Sequence, residues 1–248
     1  MITNIFHILI SQPLYNCFVF LINLFPYLDA GVIVIIFTII IKIILLPLSI
    51  KASKAQIQMK SAEKDLAVIK EKYKDNKEEQ SRQTIDYYKE KGINPFAGIF
   101  VLLIQLPIII GLYRVFLTSG LPKINSALLY HFVSAPASVN MMFLNIINIA
   151  GKSVVLALIA GITTYFQMDL ATKSQNSGPA GQTGGGMQQE IMKNMTSQMK
   201  YIFPVLVAYI AYSISAALAL YWITSNIFSI AQEIYIKKKY HKTPPIVV

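Results

Sequence analysis

The sequence predicts an all-α integral membrane protein with five transmembrane helices, an N-terminal interfacial helix and a cytosolic antiparallel helical hairpin. Of its 248 residues, 54% are hydrophobic and 14% are charged, and the mean hydropathy is +0.52. Soluble domains carry about 25% charged residues, so this composition is typical of a membrane protein. Long apolar runs separated by charged or polar stretches divide the chain into its elements.

Lys42 interrupts the first apolar run, residues 31–49. At a rise of about 1.5 Å per residue it lies about 16 Å from Gly31, near the midplane of a hydrocarbon core about 30 Å thick. A lysine at this depth costs about 2.5 to 3.5 kcal/mol on insertion scales. It therefore needs a polar partner, a water-filled cavity or a substrate, and we treat it as the leading functional candidate.

Residues 1–28 are predicted to form an amphipathic helix in the membrane interface. They contain no Lys or Arg and no Ala-x-Ala-like cleavage site, so we do not interpret them as a signal peptide. A helix that crosses the membrane is the alternative, and it would invert the topology. The apolar face consists of Ile2, Phe6, Leu9, Leu14, Cys17, Leu21 and Phe25.

A charged helical hairpin is predicted over residues 50–93. Residues 51–92 hold eleven Lys/Arg and eight Asp/Glu, and Asp75-Asn76-Lys77 offers a turn before a second helix from about Glu78 to Lys91. The hairpin is either a solvated connection or a docking arm for the ribosome, a targeting factor or lipid head groups. Its first helix carries heptad-spaced apolar residues typical of a coiled coil: Ala52, Ala55, Met59, Ala62, Leu66, Ile69 and Tyr73.

Four further spans are predicted. The final apolar run, residues 201–236, would be about 54 Å long as one helix, so it must contain two spans, with the reversal near residues 215–218. The remaining elements are spans at 96–117, 152–170, 201–217 and 218–236, an external connector at 118–151, a flexible linker at 171–200 and a basic tail at 237–248.

Loop charges predict the orientation. If the hairpin, the linker and the tail are cytosolic, that side holds 18 of the 22 basic residues. The positive-inside rule then places the N-terminus outside and the C-terminus in the cytosol of a bacterial cell membrane. Because helical side chains lean toward the helix N-terminus, Lys42 is directed away from the nearer cytosolic surface, which disfavours snorkelling.

Motifs of catalysis and metal binding are missing from the sequence. There is no Walker-type phosphate loop and no Gly-x-Ser-x-Gly elbow, and His7, His131 and His241 have no metal-ligand spacing. The single Cys17 excludes a disulfide within the chain. Cys17 is interpreted as a buried or interfacial thiol, with lipidation as the alternative. We therefore expect no enzyme activity, no cofactor and no metal.

Four sequence motifs, in this order and spacing, resemble the YidC family of membrane-protein insertases, in its short form without a large external domain. The resemblance extends from about residue 13 to 239. The motifs are Thr38-Ile-Ile-Ile-Lys42 followed by Leu46-Pro47-Leu48, then Gly92-Ile93-Asn94-Pro95, then Ile104-Gln105-Leu106-Pro107-Ile108, and Leu220-Tyr221-Trp222-Ile223-Thr224-Ser225-Asn226-Ile227-Phe228.

The resemblance implies a mechanism. A groove cation in the first core span lies in a hydrophilic groove that opens to the cytosol and to lipid, and the polar part of a substrate passes through it without nucleotide hydrolysis. Lys42 matches that cation, which is arginine in most members, so the bidentate grip of a carboxylate is lost while the charge is kept. Val101 replaces a usual proline, and residues 213–217 replace a usual turn.

The predicted substrate groove combines Lys42 with polar residues of other spans. Each of the others has the alternative role of bonding helix to helix, and Lys42 and Gln105 are the strongest candidates. The full set is Lys42, Gln105, Thr38, Thr163, Gln167, Ser213, Ser215, Thr224 and Asn226.

Partners expected from the resemblance and the charges are nascent membrane proteins and the lipid bilayer, with the ribosome and the general secretion channel as further candidates. The rival hypothesis is a small transporter or channel subunit that uses Lys42 as an intramembrane counter-ion. It would require inverted repeats, which the sequence does not contain. A further alternative is a passive assembly factor that binds the spans of partner proteins. Every sequence feature that predicts an insertase is equally compatible with it.

Overall fold

The computed structural model describes residues 6–94, 106–115, 124–176 and 187–240, and these are mostly helical. A π-helical turn, His7–Ser11, leads into the first helix. The α-helices are α1 (Gln12–Leu24), α2 (Ala30–Ser61), α3 (Glu63–Lys72), α4 (Lys77–Glu90), α5 (Leu106–Val115), α6 (Val154–Asn176), α7 (Met187–Ile214) and α8 (Ala216–Tyr240).

The core is a bundle in which α6 packs against α7 and α8, and α8 packs in turn against α2. Small residues allow the close approach, since Ala157 and Ala160 of α6 and Ala211 of α7 are buried. A β-carbon at Gly161 of α6 would lie 3.0 Å from the Pro204 carbonyl oxygen of α7. The close approach of α6 and α7 therefore depends on a residue without a side chain at position 161.

The connector ties together one end of this bundle. The Ala30 amide of α2 donates to Asn140 O at 2.8 Å, and the Ala216 and Ala217 amides of α8 donate to Gly151 O and Ile149 O at 2.7 and 3.0 Å. Because the N-termini of both helices end on the same segment, α2 and α8 run parallel. The connector also forms a short antiparallel β-hairpin of β1 (Met142–Phe143) and β2 (Ile147–Asn148), which the all-α prediction did not include.

α1 packs along the connector at several points. Asn16 Nδ2 donates to Leu128 O at 2.9 Å, its Oδ1 accepts from the Tyr130 amide at 2.6 Å, and Asn23 Nδ2 donates to Ser134 O at 2.6 Å. His7–Leu24 is also long and apolar enough to cross a membrane by length and composition. Length and composition do not distinguish a helix in the membrane interface from one that crosses the membrane, so both positions of this helix stay predictions.

The first apolar helix continues past residue 49, where the predicted span ends. α2 runs through Pro47 to Ser61, so the predicted span and the first part of the predicted hairpin form one continuous helix. Proline removes one internal hydrogen bond, while Ala52 and Ala55 beyond it are buried and continue the packed face. The heptad-spaced seam is instead interrupted at Ala62, where α2 ends and α3 begins.

The predicted flexible linker, residues 171–200, is helical wherever the structure describes it. α6 extends to Asn176, and α7 begins at Met187, directly after a run of three glycines. Met, Gln and Glu in the first turns of α7 are good helix formers, which explains the early start. Helix is therefore observed at residues 171–176 and 187–200, the flexibility of the linker stays a prediction, and the ten residues between lie outside the described part of the chain.

Ser215 separates α7 from α8 and is a buried residue outside both helices. Its hydroxyl accepts a hydrogen bond from the Leu218 amide at 3.3 Å, which caps the start of α8. Among the described residues, His7–Leu24, Ala30–Ala55 and Val154–Ala171 are long and apolar enough to cross a membrane, and Leu106–Val115 and Lys200–Ile214 are shorter apolar helices. The chain is an all-α membrane protein, and the count of five spans stays a prediction.

Two side-chain hydrogen bonds hold α3 against α4 in the charged hairpin. The Tyr87 hydroxyl donates to the Asp65 carboxylate at 2.6 Å, and Gln80 Nε2 donates to Lys70 O at 2.8 Å. The hydrogen bond to the Asp65 carboxylate raises the pKa of Tyr87 to about 12. Asn76 caps α4 by accepting from the Glu79 amide at 3.1 Å, so the turn lies where the Asp75-Asn76-Lys77 sequence predicts it.

Tyr87→Phe is expected to loosen the hairpin, because the Asp65 carboxylate loses its donor. The bond is solvent-exposed, so we expect a local cost of only about 0.5 kcal/mol. The folded hairpin holds the phenol proton more tightly than the unfolded chain, so the bond stabilises fully below pH 10 and is lost as the pH rises through about 12. Faster amide hydrogen exchange across residues 77–90 checks this; Tyr88→Phe is the control, and equal exchange in both variants would contradict it.

Candidate functional site

Lys42 lies at the contact between α2 and α8. Its ammonium donates a hydrogen bond to the Ser229 hydroxyl at 3.2 Å, and the Lys42 and Ser229 residues are both half-buried. Ser229 lies 13 residues into α8, which starts at Ala216, about 20 Å from its start at 1.5 Å per residue. The pair is therefore deep in the bundle rather than at its connector end.

A second hydrogen bond joins the same two helices further along. Gln232 Nε2 donates to the Ser49 hydroxyl at 2.6 Å. Ser49 is two helical turns beyond Lys42, in the direction away from the connector. The α2–α8 contact thus includes polar pairs at Lys42 and at Ser49, whereas Phe37, Val34 and Ile33 closer to the connector are buried and apolar.

Asn226 extends the polar region to a third helix. Its Nδ2 donates to the Thr164 hydroxyl at 2.8 Å and lies 3.2 Å from the Thr163 hydroxyl, both on α6. Asn226 is one turn before Ser229 on α8, so the two contacts lie at similar depth. The α2, α6 and α8 helices therefore meet at a cluster of polar side chains, which we call the polar cluster: Lys42, Ser49, Thr163, Thr164, Asn226, Ser229 and Gln232.

The polar cluster contains only part of the predicted groove. Lys42, Thr163 and Asn226 belong to it, and Gln167 is half-buried one turn after Thr163 and Thr164. Thr38 is fully buried, and its hydroxyl is used within α2 by donating to Val34 O at 2.7 Å. Thr224 likewise donates to Leu220 O within α8 at 2.8 Å.

Two predicted groove residues lie elsewhere. Ser215 caps α8 next to the connector, about 21 Å along the helix from Ser229, and Ser213 is exposed at the end of α7. Both were included as polar residues of a predicted span, and the structure uses this segment as the α7–α8 reversal. Gln105, one of the two strongest candidates, lies outside the described residues.

Sequence reasoning missed Ser49, Thr164, Ser229 and Gln232. A signal was present, because Ser225, Ser229 and Gln232 recur at steps of four and three on α8 and so share one helical face. Asn226, Glu233 and Lys237 extend this polar side of α8. At most three residues separate each of its polar members from the next. Polar residues of membrane helices commonly bond one helix to another, so these residues did not stand out in the sequence as a functional set.

The charge of Lys42 is not neutralised within the described part of the chain. Ion pairs there include Lys89 with Asp86, Lys200 with Asp169 and Lys237 with Glu233, and Lys42 takes part in none of them. A hydroxyl orients an ammonium without cancelling its charge. Lys42 can therefore form a charge-assisted hydrogen bond with an acidic or carbonyl group that enters the cluster. The described residues contain no group of His, Cys, Asp and Glu that could hold a metal ion.

Asn226→Ala is expected to destabilise the contact between α6 and α8. The substitution removes the amide that joins Thr163 and Thr164 to α8, and a polar contact between membrane helices contributes about 1 kcal/mol. We expect a lower unfolding temperature in detergent, by about 2 to 4 °C. Thr224→Val is the matched control, since it removes a hydroxyl of α8 that bonds only within its own helix; equal losses would contradict the assignment.

These features define the protein as a multi-helix membrane protein whose bundle encloses a cation among hydroxyl and amide groups. Residues 20–243 match the sequence profile of the 60Kd inner membrane protein family. The match covers most of the chain, and the chain belongs to this family.

Three relatives that align with this chain over more than four fifths of their own length have the same name. The protein named membrane protein insertase YidC of Fusobacterium nucleatum is 32% identical over 209 residues, which cover 84% of this chain and 86% of the relative. Those of Clostridium tetani and Clostridium perfringens are each 31% identical, over 86% and 95% of this chain and 84% and 89% of the relatives.

Proposed function

We propose that this protein is a membrane-protein insertase that places nascent membrane proteins in the bilayer without nucleotide hydrolysis. The observation that carries the proposal is the Lys42 ammonium, held by the Ser229 hydroxyl deep in an apolar bundle and without a carboxylate partner among the described residues. Family membership and the YidC relatives support the same function, while the transporter alternative gains no support from them.

The polar cluster supplies the physical basis of the mechanism. Moving a polar segment into hydrocarbon costs several kcal/mol for each unsatisfied group. The hydroxyl, amide and ammonium groups between α2, α6 and α8 replace part of the lost hydration. A short polar segment of a substrate binds there while its apolar span leaves along the helices into lipid, and burial of that span drives the process.

We extend the proposal to the orientation and the partners. The N-terminus is outside, the connector is external, and the hairpin and basic tail are cytosolic. α1 lies along the outer surface, and what supports this is its set of hydrogen bonds from Asn16 and Asn23 to the connector at both halves of the helix. The tail and the hairpin offer positive charge to a ribosome, and the spans offer a lateral surface to the secretion channel.

Insertion into liposomes tests the function. The purified protein is reconstituted, and a single-span substrate with a short acidic N-terminal tail is synthesised in a cell-free reaction. We expect protease protection of the tail above the level of protein-free liposomes, without added nucleotide once the substrate is released. Tail translocation equal to that of protein-free liposomes would contradict the proposal, and a solute flux without insertion would favour a transporter.

A further inference from the structure

Four large apolar side chains near the connector end of α2 are exposed in the structure. They are Tyr27, 98% exposed, in the turn after α1, and Met142, Leu144 and Ile146, 38%, 59% and 76% exposed, in the β-hairpin. Asp29, two residues after Tyr27, bonds to the hairpin, so these side chains belong to one region. We call this set the apolar tip.

The turn of the β-hairpin has an unusual residue. Leu144 and Asn145 both have positive φ, 51° and 59°, and the Ile146 amide donates to Phe143 O at 3.0 Å, as in a type I′ turn. Glycine and asparagine are the usual residues of such turns, and a left-handed conformation costs a leucine about 1 to 2 kcal/mol. The protein therefore sustains strain to place a large apolar side chain at an exposed turn.

The apolar tip is fixed at the edge of the first apolar helix. One Asp29 oxygen accepts from the Val32 amide at 2.9 Å and caps α2, while the other accepts from the Leu144 amide at 3.2 Å. A β-carbon at Gly31 would lie 2.7 Å from Cβ of Phe143, so the hairpin packs directly on the α2 backbone. The apolar run of α2 starts at Val32, within one helical turn of about 5 Å from the bonded hairpin.

We propose that the apolar tip is a lipid-anchoring surface, inserted in the interfacial layer of the leaflet at the Ala30 end of α2. An element within one turn of the hydrocarbon edge lies at the depth where apolar side chains gain by entering the boundary between head groups and acyl chains, about 5 to 10 Å deep. Tyrosine prefers this layer, and Tyr27 is almost completely exposed there.

The connector sequence around the β-hairpin lacks charged residues, which favours contact of the apolar tip with lipid over contact with water. Residues 124–151 contain no Asp, Glu, Lys or Arg, whereas a water-facing segment of this length carries several. The surface continues into the exposed apolar faces of the spans, which meet lipid. Anchoring at this point fixes the depth of the α2 start, and with it the depth of Lys42. The inference does not depend on the proposed function.

Depth-dependent fluorescence quenching tests the anchor. In a Cys17→Ser background, Ile146→Cys and, separately, Tyr27→Cys are labelled with an environment-sensitive fluorophore and reconstituted in phosphatidylcholine and phosphatidylglycerol vesicles. Ile44→Cys, 68% exposed on α2 close to Lys42, is the control for hydrocarbon, and Asp75→Cys, exposed on the charged hairpin, is the control for water. Lipids spin-labelled at the head group or at the acyl chain report the depth.

We expect both tip positions to emit at shorter wavelength than Asp75→Cys and to be quenched at least twofold more by head-group than by deep acyl-chain labels, with Ile44→Cys showing the reverse. Quenching by aqueous iodide equal to that of Asp75→Cys would overturn the proposal. Short-wavelength emission insensitive to either lipid label would also overturn it, because another protein would then cover the tip. If Ile146→Cys does not fold, the quenching of Tyr27→Cys alone decides between these outcomes.

Discussion

Lys42→Ala is expected to reduce insertion of a substrate with an acidic polar tail about tenfold or more. The substitution removes the only formal charge of the polar cluster, and a hydrogen bond to a charged group contributes about 1.5 to 3 kcal/mol. This range corresponds to roughly 10- to 100-fold in rate or affinity. Lys42→Arg keeps the charge and should retain insertion. The measurement is the initial rate of tail protection in proteoliposomes with matched amounts of folded protein.

Ser229 provides the matched test of the same claim. Ser229→Asp places a carboxylate within reach of the Lys42 ammonium, which lies 3.2 Å from the present hydroxyl, and should neutralise it internally. We expect loss of insertion for the acidic-tailed substrate and near-normal insertion for one with a neutral tail. Ser229→Thr keeps the hydroxyl and should behave like the natural protein. If Lys42→Ala inserts every substrate normally, hydration of the cluster is sufficient and the charge has no role.

Gly161→Leu is expected to cause the largest loss of stability. A β-carbon at this position already lies 3.0 Å from both the Pro204 carbonyl oxygen and Cβ of Ala208. A leucine must therefore push α7 away from α6, and overpacking of this kind costs about 3 kcal/mol. Ala157 and Gly161 form a small-xxx-small pattern on α6, which membrane helices use for close contact. We expect the unfolding temperature in detergent to fall by about 5 to 10 °C.

The neighbouring Ile162 supplies the control for Gly161. Its side chain is 55% exposed on the outer face of α6, so Ile162→Leu places the same side chain one residue away without a clash. This variant should keep the unfolding temperature of the natural protein within about 1 °C. An unchanged unfolding temperature in Gly161→Leu would show that α6 and α7 do not approach as closely as the structure has them.

Sequence alone predicted the class of fold and the family, and it singled out Lys42 as the leading functional candidate. The apolar runs report burial in lipid directly, and a lysine in such a run is costly enough to stand out without any structure. The family resemblance found from four motifs is confirmed by the profile match and the YidC relatives. Insertase function follows from the same motifs.

Details that depend on contacts between distant residues could not be predicted. Ser229 is a common residue on an ordinary helical face, and its place in the polar cluster comes from a contact with Lys42, 187 residues earlier. Thr38 and Ser215 looked equally polar in sequence, yet one bonds within its own helix and the other caps a reversal. The continuation of α2 through Pro47 to Ser61 likewise depends on packing, since Ala52 and Ala55 beyond the proline are buried.

Water access to Ser229 tests the central claim most directly. In a Cys17→Ser background, Ser229→Cys is exposed to a membrane-impermeant thiol reagent from each side of the membrane, with Ile44→Cys as the lipid-facing control at similar depth. We predict rapid modification of Ser229→Cys from the cytosolic side, little from the outside, and none for Ile44→Cys. Resistance of Ser229→Cys from both sides, in a protein that still folds, would contradict a hydrated groove around Lys42.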